Sequence, residues 1–441
     1  MEKGFKVSGS DLKENKVTAS LQHKGADIFI GHDPQNVKGA DYLVLSSAIK
    51  ADNAELKQAK KEKIPVVRRA KLLAELMRDK VGITVAGAHG KTTTTSMAAQ
   101  VLTDAGLAPT VAIGGLINGT TTNALLGQGK YFVAEVDESD GSFLYFSPRH
   151  AIITNIDKEH LDYYKTFKNV VTAYKDFIKK VDKSGLVIIC GDDEHLRNIS
   201  RTFKRQFCTY GLSKGNDVTA QGIDLRRDGS RFVCVLKKKV LGEVALPIPG
   251  IHNVSNALAV IALGLKLKIN FAVIQRSLRN YWGIQRRFQR IGRVNDVEIV
   301  DDYGHHPTEI KATLAAGKIA KEKRLICVFQ PHRYTRTQSL LKEFSACFGD
   351  CDYLVITDIY AASEKPIEGI SAEVLVQKVK QSAGNPVIYL RKENIIGHLK
   401  EIARPGDMVL TLGAGDITQV AHQLPSALKE AVRLAEREMI G

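Results

Sequence analysis

Ile83-Thr84-Val85-Ala86-Gly87-Ala88-His89-Gly90-Lys91-Thr92-Thr93-Thr94-Thr95 begins as an apolar run, breaks at two glycines and resumes as a polar row opening on a lysine. This order predicts a buried strand, a tight turn and a helix N-terminus. At such a junction backbone N–H groups converge on phosphate oxygens, and the helix end favours the negative charge. Gly87, Ala88, His89, Gly90, Lys91, Thr92 and Thr93 are therefore candidate phosphate contacts. Lys91 offers a cation to the outer phosphates and the Thr92 hydroxyl a ligand for Mg²⁺. The eight-residue form of this loop needs glycine at 85, where the chain has Val85, so the match is to the shorter GxxGKT form.

Outward from the loop, β-branched runs alternate with helical segments, the pattern of α/β domains with mainly parallel sheets. Strands are expected at 5–7, 28–30, 42–45, 83–86, 111–113, 131–135, 151–154 and 186–190. A hairpin region follows at 217–248, turning at Asp228-Gly229. A helix at about 254–265 and a boundary stretch at 281–290 precede strands at 297–300, 325–329, 353–357, 387–389 and 408–412. Two strands run directly into polar turns. Tyr131–Glu135 continues as Val136-Asp137-Glu138-Ser139-Asp140, and Ile152-Ile153 continues to Asp157-Lys158-Glu159-His160. Carboxylates at the C-terminal end of a parallel strand are where such sheets bind ligands. Glu135 is a candidate Mg²⁺ ligand; His160 is either a second metal ligand or a structural histidine.

Composition narrows the class. The chain has 441 residues, which suggests about three domains. Hydrophobic residues are 44% and charged residues 25%, which are globular values. There is no apolar run of transmembrane length and no signal-peptide pattern at the N-terminus, so a cytoplasmic protein without a membrane partner is expected. The six cysteines lack CxxC spacing and read as scattered reduced thiols, with Cys347 and Cys351 on one helix. The net charge of +15 suits either nucleic acid or anionic small molecules. Its basic residues are dispersed and not interleaved with aromatics, so small anions are preferred.

Taken together, several stretches resemble the Mur ligases, the amide-forming ligases of peptidoglycan synthesis. They are Gly87–Thr95, Glu135–Phe143, Asn155–Asp162, Pro249-Gly-Ile-His-Asn-Val-Ser-Asn256, Arg286-Arg287-Phe288, Asp301–Glu309, Phe329–Thr337 and Leu412–Asp416, in that order. The runs Tyr303-Gly-His-His306 and Pro331-His-Arg-Tyr-Thr-Arg336 resemble the alanine-adding branch. The resemblance implies an α/β protein of three domains. These are a Rossmann-like UDP-substrate domain at 1–79, a P-loop ATP-binding domain at 80–283 and a Rossmann-like amino-acid-binding domain at 284–441. It implies that ATP phosphorylates the lactyl carboxylate of UDP-N-acetylmuramate and that the amine of L-alanine attacks the acyl phosphate.

Roles follow by position. Lys91 would stabilise the transferring phosphoryl group, Thr92 and Glu135 would hold one Mg²⁺, and His160 would help place a second. His252, Asn253 and Asn256 would contact the adenine side of ATP, with Arg287 and Asp302 reaching it on domain closure. Tyr303, His305, Arg333 and Arg336 would form the alanine pocket. Ser46 and Ser47 would lie near the uridine, and Asp140, Ser142 and Phe143 on the muramoyl side. Two departures stand out. Ala88 replaces the usual threonine, and the family's opening strand and Gly-rich loop have no counterpart before Phe5, so the 1–79 domain is expected to lack about one βα unit. The assembly is expected to be a monomer or homodimer. Alternatives are a folylpolyglutamate synthetase-like ligase, a nucleic-acid-stimulated ATPase, and a truncated remnant with ATP binding only.

Overall fold

The computed structural model describes residues 1–440 other than 119, 121, 282 and 383, and side chains other than those at 16 and 431–440. Trp282, within the expected boundary stretch, thus lies outside the described residues. The chain separates into two compact units. One comprises Met1–Gln221, Cys234–Gly242 and Ser255–Leu278; the other comprises Gly222–Val233, Glu243–Val254 and Arg279–Gly441.

In the first unit, the strand Val81–Ala86 pairs parallel with Tyr131–Glu135 on one side and His150–Ile153 on the other. A strand with neighbours on both edges and cover on both faces must be apolar throughout, which explains the continuous rather than alternating run. Val187–Cys190 and Phe207–Gly211 extend the sheet in parallel beyond His150–Ile153. Thr110–Ala112 extends it beyond Tyr131–Glu135, and the short antiparallel Ala124–Leu125 follows at that edge. Val85 is in register with Glu135, and Ala86 with Ile153. The three loops that follow these strands therefore leave from one edge of the sheet.

The helix after the Gly87–Gly90 loop, Lys91–Asp104, buries Thr92, Thr93, Thr94 and Thr95. Four consecutive β-branched residues are poor helix formers, so packing rather than propensity holds this first turn. Thr95 and Thr103 satisfy their hydroxyls on carbonyls one turn back, at Lys91 and Ala99, both at 2.8 Å.

Residues before 80 form two separate two-stranded parallel sheets, Ser8–Asp11 with Asp27–Ile30 and Leu43–Leu45 with Val66–Arg68. The first strand was expected at 5–7 but begins at Ser8. Gly4, at φ +85°, closes a turn onto the Met1 carbonyl, and parallel pairing begins only where Ser8 meets Asp27. Val66–Arg68 and Phe207–Gly211 are strands that were not expected.

The second unit contains a six-stranded sheet. Its order is Gln289–Val294, Val297–Asp302, Met408–Leu412, Leu325–Phe329, Tyr353–Ile356, Val387–Tyr389. Only the first pair is antiparallel. The strand Met408–Leu412 sends Met408, Leu410 and Leu412 to one core, with Ile310, Leu314 and Phe344, and Val409 to the other, with Ile395 and Leu399. Asp302, Leu412 and Phe329 end in register, so their loops again share one edge. The architecture is the α/β arrangement with mainly parallel sheets that the alternation predicts.

Cys347 and Cys351 do not share a helix. The helix Leu341–Ser345 ends before them, and both thiols are buried and free. Among the described residues no helix is long and apolar enough to cross a membrane. Leu410 is fully buried on a strand with parallel neighbours on both sides. Leu410→Ala should destabilise the second unit by about 2–5 kcal/mol, read as a lower urea midpoint.

Candidate active site

The Gly87–Gly90 loop is held from behind by the segment after His150–Ile153. The Asn155 carbonyl accepts from Ala88 N at 3.2 Å, and its side-chain oxygen accepts from His89 N at 2.8 Å. The Thr154 hydroxyl donates to the His89 carbonyl at 2.6 Å. Gly87 has φ +134°, and a Cβ there would lie 2.0 Å from the Thr154 hydroxyl. Gly90 has φ +80°, and a Cβ there would lie 2.6 Å from the Asn256 side-chain oxygen. Both glycines are required by conformation and by space. His89 Nε2 lies 2.9 Å from the Asp157 carboxylate.

Lys91 opens the helix and turns its ammonium back into the loop. It donates to the Gly87 carbonyl at 2.6 Å, the Ala88 carbonyl at 3.2 Å, and both Glu138 carboxylate oxygens at 2.8 and 2.9 Å. Burial opposes its charge, but Glu138, Asp137 and Glu135 outweigh that, and the ammonium is held more firmly protonated than usual. The Thr92 hydroxyl donates to Glu135 at 3.0 Å, and Gly114 N donates to the other Glu135 oxygen at 2.7 Å.

His160 stands beside the lysine pair. Its Nε2 is 3.5 Å from Glu138 and 3.8 Å from Glu159. Burial disfavours the charged ring, yet these carboxylates raise its pKa overall. The residue adopts φ 58°, ψ 33°, a left-handed conformation. For a non-glycine this costs on the order of 1 kcal/mol or more, and such strain concentrates at functional sites. Ligand atoms of Glu138, Glu159 and His160 all fall within 4.8 Å of one another.

Asp140 accepts from Ser142 N at 3.0 Å, and the Ser142 hydroxyl donates to the Asp137 carbonyl at 3.2 Å. Phe143 is fully buried and stacks on Phe177 at 5.0 Å. Ser46 accepts from Ala48 N at 3.3 Å, in the loop after Leu43–Leu45. Ser47 beside it is exposed.

In the second unit, Asp302 is buried at the end of its strand. It accepts from Phe288 N and Gly304 N, both at 2.7 Å. Burial lifts its pKa to about 6 despite the Arg287 charge and these donors. The guanidinium groups of Arg286 and Arg287 lie over the Tyr303 ring at 5.0 and 5.3 Å. Arg287 also reaches Glu309 at 3.5 Å. His252 is held neutral by burial and the Arg287 charge, its pKa depressed to about 4. Its Nδ1 is buried with no hydrogen-bond partner among the described residues. Asn253 donates to the Pro249 carbonyl at 2.7 Å.

His305 packs edge-on to Tyr303 and lies 5.8 Å from the His332 ring. Burial drives its pKa down to about 3. Arg336 Nη1 is 3.0 Å from His332 Nδ1. Tyr303, His305 and Arg336 are thus linked through His332. Arg333, at φ 70°, directs its side chain toward Glu364, 3.9 Å away.

Comparison with known proteins identifies the family. Residues 1–81 match the Mur ligase family catalytic domain, 85–264 the Mur ligase middle domain, and 286–415 the Mur ligase glutamate ligase domain. The UDP-N-acetylmuramate–L-alanine ligase of Geotalea uraniireducens is 50% identical over 97% of this chain and 93% of its own length. The same-named enzyme of Geobacter sulfurreducens is 49% identical, again over 97% and 93%. The crystal structure of the UDP-N-acetylmuramate–alanine ligase of Thermotoga maritima superposes with a TM-score of 0.81 at 28% identity, covering 96% of this chain and 94% of that one. The chain belongs to the Mur ligase family.

For a Mur ligase, three side chains at these sites went unassigned in the sequence. Glu138 sits among four acids in six residues, and only burial distinguishes it: 2% of it is exposed. His332 was visible inside Pro331–Arg336 but unassigned. Glu309, third residue of the Pro307–Ala320 helix, forms a capping box with His306, which the usual Ser/Thr-led signature does not reveal. A divalent cation fits the donors of the first unit. Thr92 and Glu135 offer the hard oxygens Mg²⁺ prefers, and Glu138, Glu159 and His160 offer two carboxylates and an imidazole.

Two outcomes are expected of this Mur ligase. Gly87→Ala should destabilise the first unit by about 2–5 kcal/mol, since a Cβ would both strain the backbone and displace Thr154, and thermal unfolding will read it. Asp302 has a folded pKa near 6, above its unfolded value of about 3.9. Its contribution is most favourable below about pH 4 and is lost as pH rises through 6. Asp302→Asn removes that dependence. Relative to the variant, the parent should lose up to about 3 kcal/mol between pH 4 and 7, followed by urea unfolding at each pH.

Proposed function

We propose that this chain is an ATP-dependent ligase joining L-alanine to the lactyl carboxylate of UDP-N-acetylmuramate in cytoplasmic peptidoglycan synthesis, with Mg²⁺ as cofactor. The observation that carries the reading is Lys91, a fully charged ammonium inside the phosphate loop, beside Thr92–Glu135. Relatives about 50% identical over nearly the whole chain bear that enzyme's name, which supports the substrate assignment.

The chemistry needs positioning and charge neutralisation rather than a side-chain nucleophile. The carboxylate oxygen attacks the γ-phosphorus, the bridge to ADP breaks, and Lys91 neutralises charge on the phosphoryl oxygens. The amine nitrogen of alanine then attacks the acyl carbon, a C–N bond forms and phosphate leaves. Thr92 and Glu135 would hold one Mg²⁺ and His160 would help place a second, which would supply further neutralisation of phosphate charge. The alanine carboxylate requires a cation. His305 is neutral at physiological pH, so Arg333 and Arg336 take that role, with Arg336 steadied by His332. His252, Asn253, Asn256, Arg287 and Asp302 are assigned to ATP. Ser46, Ser47, Asp140 and Ser142 are assigned to the UDP-sugar, with Phe143 backing the last two from the core. The three-domain division at about 80 and 284, and a monomeric or dimeric state, belong to the same proposal.

The test is ADP release with ATP, Mg²⁺, UDP-N-acetylmuramate and L-alanine, against panels of other amino acids and acceptors. ADP release should require all four components. Lys91→Ala should lower kcat by about 100-fold or more. Arg336→Ala should raise the KM for L-alanine by about 10-fold or more, with little change in the KM for ATP. Full turnover by Lys91→Ala, or turnover with glutamate in place of alanine, would refute the assignment.

A further inference from the structure

Lys91 is not free to meet a phosphate in this structure. An ammonium has three N–H donors, and four oxygens already surround this one: two loop carbonyls and both oxygens of Glu138. Glu138 is almost fully buried, so it cannot simply be released into water. A buried carboxylate deprived of its cation is strongly destabilised. Among the described residues it has one other ion partner. His160 Nε2 lies 3.5 Å from its Oε1, with Glu159 completing the group. The Glu138 backbone is pinned, since Tyr164 donates its hydroxyl to the Glu138 carbonyl at 2.6 Å. Only the carboxylate end can change partner.

We infer that Glu138 is a positioning residue that exchanges partners: it caps Lys91 in the nucleotide-free protein and turns to the His160–Glu159 side when a divalent cation arrives, releasing Lys91 to the phosphates. The inference rests on the reading of Gly87–Thr92 as a nucleotide site. Its consequence is a coupling. A cation beside Glu138 and a phosphate on Lys91 each remove a competitor of the other, so they bind with positive cooperativity. Metal-free nucleotide must compete with Glu138 for the ammonium.

The experiment is calorimetric titration of ADP into the full chain and into Glu138→Gln, each with and without Mg²⁺. The parent should bind ADP weakly without Mg²⁺ and much more tightly with it. Glu138→Gln should bind metal-free ADP about tenfold tighter than the parent, and its gain on adding Mg²⁺ should shrink by about tenfold. If Glu138 were merely structural, both affinities would fall together and the Mg²⁺ gain would persist, which would overturn the inference. No ADP binding by the parent in either condition would instead remove the nucleotide reading beneath it. Should the variant not fold, the parent decides through Lys91 labelling by acetic anhydride, followed by mass spectrometry. Mg²⁺ alone should raise Lys91 labelling severalfold; unchanged labelling sinks the exchange.

Discussion

The buried ion pair between Lys91 and Glu138 organises the first unit's site. It can exist only because two separate loops leave the sheet side by side, one carrying each charge. That adjacency follows from the parallel register of Val81–Ala86 with Tyr131–Glu135. The neighbouring His150–Ile153 strand completes the arrangement, delivering Thr154 and Asn155 behind the loop and His160 in front. A one-residue slip of either strand would turn its side chains to the opposite face of the sheet and shift its loop along the strand direction.

The second unit solves a different electrostatic problem with the same sheet geometry. It buries several titratable groups and disfavours their charged forms, so that the histidines stay neutral. Asp302 is raised, while His252, His305 and His332 are lowered, each chiefly by burial. Against that background the arginines carry the positive charge. Several of the residues that set the geometry have positive φ, namely Arg286, Phe288 and Arg333. Strain of this kind persists only where surrounding contacts over-determine it.

Local features were the most legible in the sequence. The strand, turn and lysine-led helix at 83–95 lie within one stretch, and glycine and threonine each have a local reason to be there. The strands around it were readable because buried parallel strands are continuously apolar. The first strand was misplaced because Ser8–Asp11 is neither apolar nor β-branched; its pairing with Asp27–Ile30 defines it, and pairing is not written locally. Glu138 was hidden for a related reason. Glu135, Asp137, Glu138 and Asp140 are chemically alike, and their ranking by burial depends on strands and a tyrosine far along the chain. The left-handed conformations of His160 and Arg333 likewise have no sequence signal, since neither is glycine or asparagine.

Gly90 is where a distant helix touches the loop. The Asn256 amide, on Ile251–Lys266, presses against bare backbone where any other residue would carry a side chain. Gly90 is thereby fixed in identity as well as in conformation. A helix far along the chain restricts the loop at one backbone position.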